Sequence, residues 1–261
     1  MVVSCVPVEA TDVQSKSIAE TIAAVKAAPR GSLLIIDLDE TLFLRNSSQA
    51  FLNCIYPRVL GLPFFLAVKA LKPWRAMPAP FNESHVFRDW FLMVAATILF
   101  PWTPFVWRSR AQKLAHTHCN MLLAQAIDES EASLVIATRG FGLIVNPIIR
   151  SLPMACIEAG AYEVVACRFW KGLPDRAKSK LEMVVARFGA DAVARSTVVT
   201  DSSIDKQILT AAATPCLLQW PDAACNSETS DLFPFSSLLR RKRASPKKKR
   251  SDAVVGKKRA V

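Results

Sequence analysis

Apolar residues in this chain come in short unbroken runs, each closed by polar or acidic residues, with stretches of helical periodicity between them. The first run, 32–36 (SLLII), ends at Asp37. The others are 133–137 (SLVIA) before Thr138-Arg139-Gly140, 196–200 (STVVT) before Asp201-Ser202, and 216–220 (CLLQW), closed by Pro221-Asp222. A run that is apolar at every position suits a strand covered on both faces, as at the centre of a parallel sheet. Helical spacing accounts for much of the remainder. Residues 11–28 place Val13, Ile18, Ile22 and Val25 near one face and stop at Pro29-Arg30-Gly31. Residues 141–150 also read as helix, and 178–188 gather Leu181, Val184, Val185 and Phe188 on one face. This alternation predicts an α/β fold, a parallel sheet with right-handed crossovers. In such sheets the chemistry lies beyond the C-terminal ends of the strands.

Residues 45–130 interrupt the alternation, being helical in period and rich in aromatic residues and proline. They read as a helical insertion, entered directly after the first strand and placed as a cap over the site. The expected organisation is an N-terminal helix over 1–30, a core formed by 31–44 and 131–238, the insertion, and a tail over 239–261. Within the insertion, 90–107 (WFLMVAATILFPWTPFVW) carries no charge. Pro101 and Pro104 break it and leave an apolar helix well short of the roughly 20 residues that cross a bilayer. Three readings stay open for it: a buried cap helix, an interfacial or re-entrant membrane contact, and a true span. Arg88, Arg108, Arg110 and Lys113, with Trp90, Trp102 and Trp107, suit an interfacial position.

Composition narrows the class. The 261 residues are 51% hydrophobic, enough for a sizeable core, which excludes wholesale disorder, collagen-like repeats and a disulfide miniprotein. The formal net charge is +11, but eleven of the basic residues and a single acidic one, Asp252, fall within 240–261. The body is therefore close to neutral, which disfavours nucleic acid as its partner. The tail, with 246–250 (PKKKR), reads as a solvated, disordered end, as a nuclear-localisation or nucleic-acid patch, or as a patch for anionic lipid. The seven cysteines (Cys5, Cys54, Cys119, Cys156, Cys167, Cys216, Cys225) are odd in number and lack CxxC spacing, as expected of free thiols in a reducing compartment. The start, MVVSCVPVEATD, lacks a basic stretch followed by an apolar run, so a cytoplasmic protein is expected.

Candidate chemistry concentrates at strand ends. Asp37 and Asp39, in the run DLDETL, follow the first strand directly. Two carboxylates so close together are costly unless a cation or proton compensates them, and magnesium, which takes hard oxygen ligands, would do so. Asp201 and Asp205 form a second acidic pair after the third run and would face the first across adjacent strands. Thr138 and Lys178 supply the hydroxyl and the positive charge needed to hold a phosphoryl group. A lone pair of this kind could simply cap a helix, as Asp201-Ser202 could for a helix at 203–211. His116 and His118 cannot share one ion on a helix, since positions i and i+2 point to opposite sides.

Taken together, DxDxT after the first strand, Thr138 after the second, a lysine, and the Asp201/Asp205 pair resemble the haloacid dehalogenase superfamily of hydrolases. The resemblance covers roughly 31–44 and 131–222, with the four motifs in the family's order. It implies a Rossmann-like core and a magnesium-dependent phosphatase. Asp37 is implied as the nucleophile that forms an aspartyl-phosphate, Asp39 as the general acid and base, and Thr41 as a brace. Thr138 and Lys178 would hold the phosphoryl group, with Lys180 as the other candidate lysine. Magnesium would be held by Asp37, Asp201 and the Asp39 main chain, with Asp205 a ligand or an orienting group behind it. Thr200 stands where the family often has glycine, and Arg139 where a small residue is usual.

The position of the insertion is similar to that in the phosphoserine-phosphatase-like branch. The run 107–114 (WRSRAQKL) with Pro101 is similar to the phosphatase-like domain fused ahead of UbiA-type prenyltransferases, of which a free-standing or truncated relative is expected here. A phosphorylated small molecule or a lipid-linked phosphate is the implied substrate. The competing expectation is a catalytically weak relative that uses 90–107 and the basic tail as a membrane-surface or polyanion-binding module.

Overall fold

A computed structural model of the chain describes residues 14–76 and 85–219. Cys5, Trp220, Cys225 and the basic tail lie outside these residues, as do the opening residues of the 11–28 helix.

Six strands form one parallel sheet: β1 (Ser15–Lys16), β2 (Leu33–Ile36), β3 (Ser133–Phe141), β4 (Tyr162–Cys167), β5 (Thr197–Thr200) and β6 (Thr214–Leu218), in the order β1-β6-β5-β2-β3-β4. This is the parallel α/β arrangement that the alternation predicts, consistent with a Rossmann-like fold. The first apolar run is central, with β2 paired to β3 on one side and β5 on the other. The two acidic motifs therefore leave the sheet from neighbouring strands.

The unbroken apolar runs have a direct cause. Leu34 and Ile36 of β2 join one hydrophobic core while Ile35 joins the core on the opposite face; in β3, Leu134 and Ile136 separate from Val135 and Ala137 in the same way. Alternate side chains leave opposite faces, and both faces are covered.

The smaller core is closed by Val184 and Val193 and by Ile208 and Leu209, from the helices Lys180–Phe188, Ala190–Ala194 and Lys206–Ala211. The larger core takes in the helix Gly142–Ile149 and the insertion together. Phe51, Leu92, Met93, Trp107, Ala111 and Ala115 are fully buried there. Trp107 donates its indole N–H to the Ile144 carbonyl at 2.8 Å and meets Phe51 edge to face at 5.8 Å. The insertion is thus built into one face of the core, not set apart from it.

The apolar stretch 90–107 resolves into the helices His85–Leu99 and Thr103–His118. Among the described residues no single helix is long and apolar enough to cross a membrane, and the segments Arg88–Leu99 and Thr103–His118 are bent by 113° from each other. Pro101 and Pro104 cause the break: Pro101 sits in the turn and Pro104 in the first turn of the second helix, where its missing N–H costs nothing.

Three elements depart from the expectation. The N-terminal segment contributes an edge strand, because Ser17 caps the helix Ile18–Lys26 through a capping box with Glu20 and releases Ser15–Lys16 to pair with β6. β4 went unread because it is the other edge strand: Glu163 is exposed and most of its residues are only half-buried, so it forms no apolar run. β3 runs on through Thr138-Arg139-Gly140 to Phe141, with a register shift against β4 between Ala137 and Phe141. That bulge takes three residues out of the regular ladder at the sheet's C-terminal edge. Gly140 is required within it, since a Cβ there would lie 2.6 Å from Val145, a fully buried side chain. The five described cysteines are free thiols.

The segment after β4 is anchored by Asp175, which accepts hydrogen bonds from the Arg168 backbone N–H and from Nε and Nη2 of its guanidinium. That guanidinium holds the Asp175 carboxyl down at about 2, below the usual carboxylate value. A carboxylate depressed in the fold stabilises it above its unfolded pKa of about 3.9, and the contribution disappears as pH falls through about 2. Because Arg168 is largely exposed, Asp175→Asn is expected to cost only about 1 kcal/mol at pH 7. The gap between variant and wild type should narrow as pH drops from 4 towards 2, as read by urea midpoints across that range.

Candidate functional site

Four segments meet beyond the C-terminal ends of β2, β3 and β5. Asp37 continues the ladder, its N–H donating to the Val199 carbonyl at 2.9 Å, and its side chain is buried. Its Oδ1 accepts from the Leu38 N–H at 2.8 Å, while Oδ2 lies 2.9 Å from the Lys180 amine and 3.1 Å from the Thr200 hydroxyl. The same amine reaches Asp205 Oδ2 at 2.5 Å, and the Thr200 hydroxyl lies 2.9 Å from that oxygen. A hydroxyl has one proton, so Thr200 donates to one carboxylate at a time. Lys180 thus bridges the two acidic motifs inside the protein.

Thr41 and Asp201 form a reciprocal clamp. The Thr41 hydroxyl donates to Asp201 Oδ1 at 2.9 Å and accepts from the Asp201 N–H at 3.1 Å. Asn120, at the end of the insertion, donates to the Thr41 carbonyl. Between Asp39 and Thr41, Glu40 takes a left-handed conformation with φ of 63°, the sharp turn that lets both aspartates address one cleft. Such a conformation is uncommon outside glycine.

Asp39 is held differently. Its carboxylate accepts from the N–H and hydroxyl of Ser47, at 2.8 and 3.0 Å, in the first turn of the insertion helix Ser47–Leu52. Burial pushes Asp39 up to about 7 in spite of those donors. Burial likewise raises Asp37 to about 6, with Lys180 opposing and Asp205 and Asp201 reinforcing the shift. For Lys180, burial pulls the amine down but the attraction of Asp37 and Asp205 outweighs it, so it stays protonated. Thr138 is buried in the β3 bulge, where its hydroxyl oxygen accepts from the Gly140 N–H at 3.0 Å. Its own proton has no acceptor among the described residues.

The structure corrects one expected residue. Lys178 is not in this cluster: its side chain is 53% exposed and lies 3.9 Å from Asp175. Lys180, 5% exposed, is the lysine that reaches Asp37 and Asp205. The cause is local. Ser179 caps the helix Lys180–Phe188 through a capping box with Glu182, which makes Lys180 its first residue and leaves Lys178 in extended chain outside it. The signature Ser179-x-x-Glu182 was present in the sequence. The expectation of Asp205 as a direct metal ligand also meets an obstacle, since its Oδ2 is already shared by Lys180 and Thr200. Thr200, read only as a departure from glycine, proves to be a member of the network.

Two recesses open from Asp37 and Asp39. One, a cavity of about 180 Å³, is lined by Thr138, Arg139, Arg176 and Lys180, with Asn46, Ser48 and Asp89 of the insertion on its border. The other, about 400 Å³, is lined by Glu40, Asp201 and Ser202 and, among the described residues, by no cationic side chain. Burial raises Asp37, Glu40 and Asp201 alike. Among the described residues no three His, Cys, Asp or Glu side chains close around an ion. The donor set still suits magnesium, which takes one or two carboxylates and fills the rest of its shell with carbonyl, water and substrate oxygens. His116 and His118 lie on one helix, away from any such set; His118 instead packs edge-on against Phe43.

Compared with known proteins, the chain matches no family model and no curated protein.

The buried bridge has a measurable consequence. Lys180→Met leaves Asp37 and Asp205 buried without their shared cation and is expected to cost about 3–5 kcal/mol at pH 8. Lys178→Met should cost about 0.5 kcal/mol or less. Urea unfolding of the two variants side by side checks the assignment, and equal losses would contradict it.

Proposed function

We propose that the protein is a magnesium-dependent phosphate monoesterase of the haloacid dehalogenase type, working through an aspartyl-phosphate. The observation that carries the reading is the buried Lys180 amine against Asp37, with Thr138 lining the same cavity as both. A carboxylate, a fixed cation and a free hydroxyl proton around one small cavity suit a phosphoryl group better than any neutral substrate.

In this mechanism Asp37 attacks phosphorus through its carboxylate oxygen, and the bond to the leaving alcohol breaks. Asp39, raised by burial towards neutrality, protonates the departing oxygen. The resulting carboxylate of Asp39 then takes a proton from water, which attacks the acyl phosphate and releases inorganic phosphate with Asp37 restored. Lys180 and the Thr138 hydroxyl hold the phosphoryl oxygens throughout. Asp37 and Asp201, with the Asp39 carbonyl, would hold magnesium, whose charge would offset that of the nucleophile and the phosphoryl oxygens. Thr200 and Asp205 keep Lys180 in place. The insertion acts as the cap, bringing Asn46, Ser48 and Asp89 to the mouth of the cavity.

Asp37→Asn is expected to lower turnover of a generic phosphate ester by at least about 10³-fold with the fold intact, because the amide cannot serve as nucleophile. Activity in the wild type should disappear with EDTA and return with magnesium. Colorimetric phosphate release measures both, and undiminished turnover by Asp37→Asn would refute the mechanism.

One observation favours a second reading, a membrane-surface module. Around the bend at Pro101, Ile98, Leu99, Trp102 and Phe105 are exposed, Ile98 by 63% and Phe105 by 70%. Arg108 and Arg110 follow one turn later on an exposed part of the same helix. An apolar tip flanked by cations is the composition of an interfacial anchor. Flotation with vesicles containing phosphatidylglycerol tests it: the full chain should float, and the Ile98→Asp/Phe105→Asp variant should remain at the bottom. A full chain that does not float removes this reading.

A further inference from the structure

The cavity beside Asp37 contains more positive charge than one phosphoryl group requires. Besides Lys180, Arg139 and Arg176 line it. Lys180 is committed to Asp37 and Asp205. Arg176 lies 3.7 Å from Asp89, which Arg88 also engages at 3.2 Å, and it rests over the Phe141 ring at 5.1 Å. Arg139 has no carboxylate within ion-pair distance among the described residues; its Nη2 donates to the Arg176 carbonyl at 3.1 Å. That bond holds the two arginines on one side of the cavity.

Their solvation is poor as well. Arg139 Nε and Arg176 Nε and Nη1 are shut off from solvent and have no hydrogen-bond partner among the described residues. Each guanidinium carries five N–H donors, and these three nitrogens account for four of the pair's ten. Two neighbouring cations, half removed from water and sharing one already divided carboxylate, form a costly arrangement unless an anion joins them. The β3 bulge explains why the charge sits here: Arg139 immediately follows Thr138, and the missing side chain of Gly140 permits the close packing on Val145.

We infer that Arg139 and Arg176 form a subsite for a second anionic group of the ligand, so that the substrate is a phosphate ester carrying another oxyanion, carboxylate or phosphate, a few atoms from the scissile phosphate. Guanidinium forks match both oxyanions in bidentate fashion, which lysine cannot reproduce. The inference rests on the phosphatase reading for the word substrate, while the binding itself is independent of turnover.

The test is calorimetry on the full chain in EDTA with ligands that cannot be hydrolysed. Phosphonocarboxylates and bisphosphonates with two-, three- and four-carbon spacers are compared with alkylphosphonates of matched length. At one spacer length at least, one of the doubly anionic ligands should bind about ten-fold tighter or more than its alkyl counterpart, and which of the two does so identifies the second group. Arg139→Gln should bring that ratio to within about three-fold. Arg150→Gln, the same charge change at an exposed position, should leave it unchanged. If the glutamine variant fails to fold by circular dichroism, Arg139→Lys carries the comparison, with the ratio expected to fall at least about three-fold. Equal affinities at every length, an unchanged ratio in the folded Arg139 variant, or the same loss in Arg150→Gln would overturn the subsite. Phosphatase activity without this preference would overturn the subsite alone. A preference in a protein without phosphatase activity would overturn the hydrolase reading and leave the subsite standing.

Discussion

The structure turns on one buried ammonium. Lys180 lies between Asp37 and Asp205, with Thr200 touching both carboxylates. The ammonium offsets the cost of burying the two carboxylates, and they offset the cost of burying it. The interaction ties β2, β5 and the helix Lys180–Phe188 together at the edge of the sheet where catalysis would occur. Stability and proposed chemistry therefore share the same atoms. In the proposed mechanism the residue that holds the acidic loops together also receives the charge of the phosphoryl group.

Around this bridge the charges divide by side. Towards Asp201 and Glu40 the cleft is acidic, and burial raises its carboxylates; towards Arg139 and Arg176 it is basic. The proposed function would set magnesium on the first side and the phosphoryl group and second anion on the other. Asp37 stands at the boundary, as a nucleophile would if it attacked a group held between a metal and a set of donors. The insertion adds to both structure and site: Trp107 and Phe51 lock it into the core while Ser47 holds Asp39.

Much of the fold was legible because burial on both faces leaves a plain signature. The runs at 32–36, 133–137 and 196–200 had to be strands in a covered sheet, and the acidic residues after them had to lie at its C-terminal edge. Edge strands escaped for the converse reason. β4 is only partly covered, and β1 is two residues long, so neither produces a run. The choice between Lys178 and Lys180 rests on the capping box at Ser179 and Glu182, a local signal that sets where the helix begins.

What sequence alone determined here is the local chemistry: which segments are the covered strands, where helices stop, and that Asp37, Asp39, Thr138, Asp201 and Asp205 gather towards the sheet's C-terminal edge. Those features follow from periodicity and from the conformational preferences of neighbouring residues. Tertiary structure decided which groups share a proton or a charge. It placed Lys180 rather than Lys178 between the carboxylates, gave Thr200 its two acidic partners, turned Asp39 towards Ser47, and brought Arg139 beside Arg176. These pairings join residues up to 163 positions apart, as Thr200 and Asp37 are. Their energies depend on burial and on distances of about 3 Å, which only the folded chain defines.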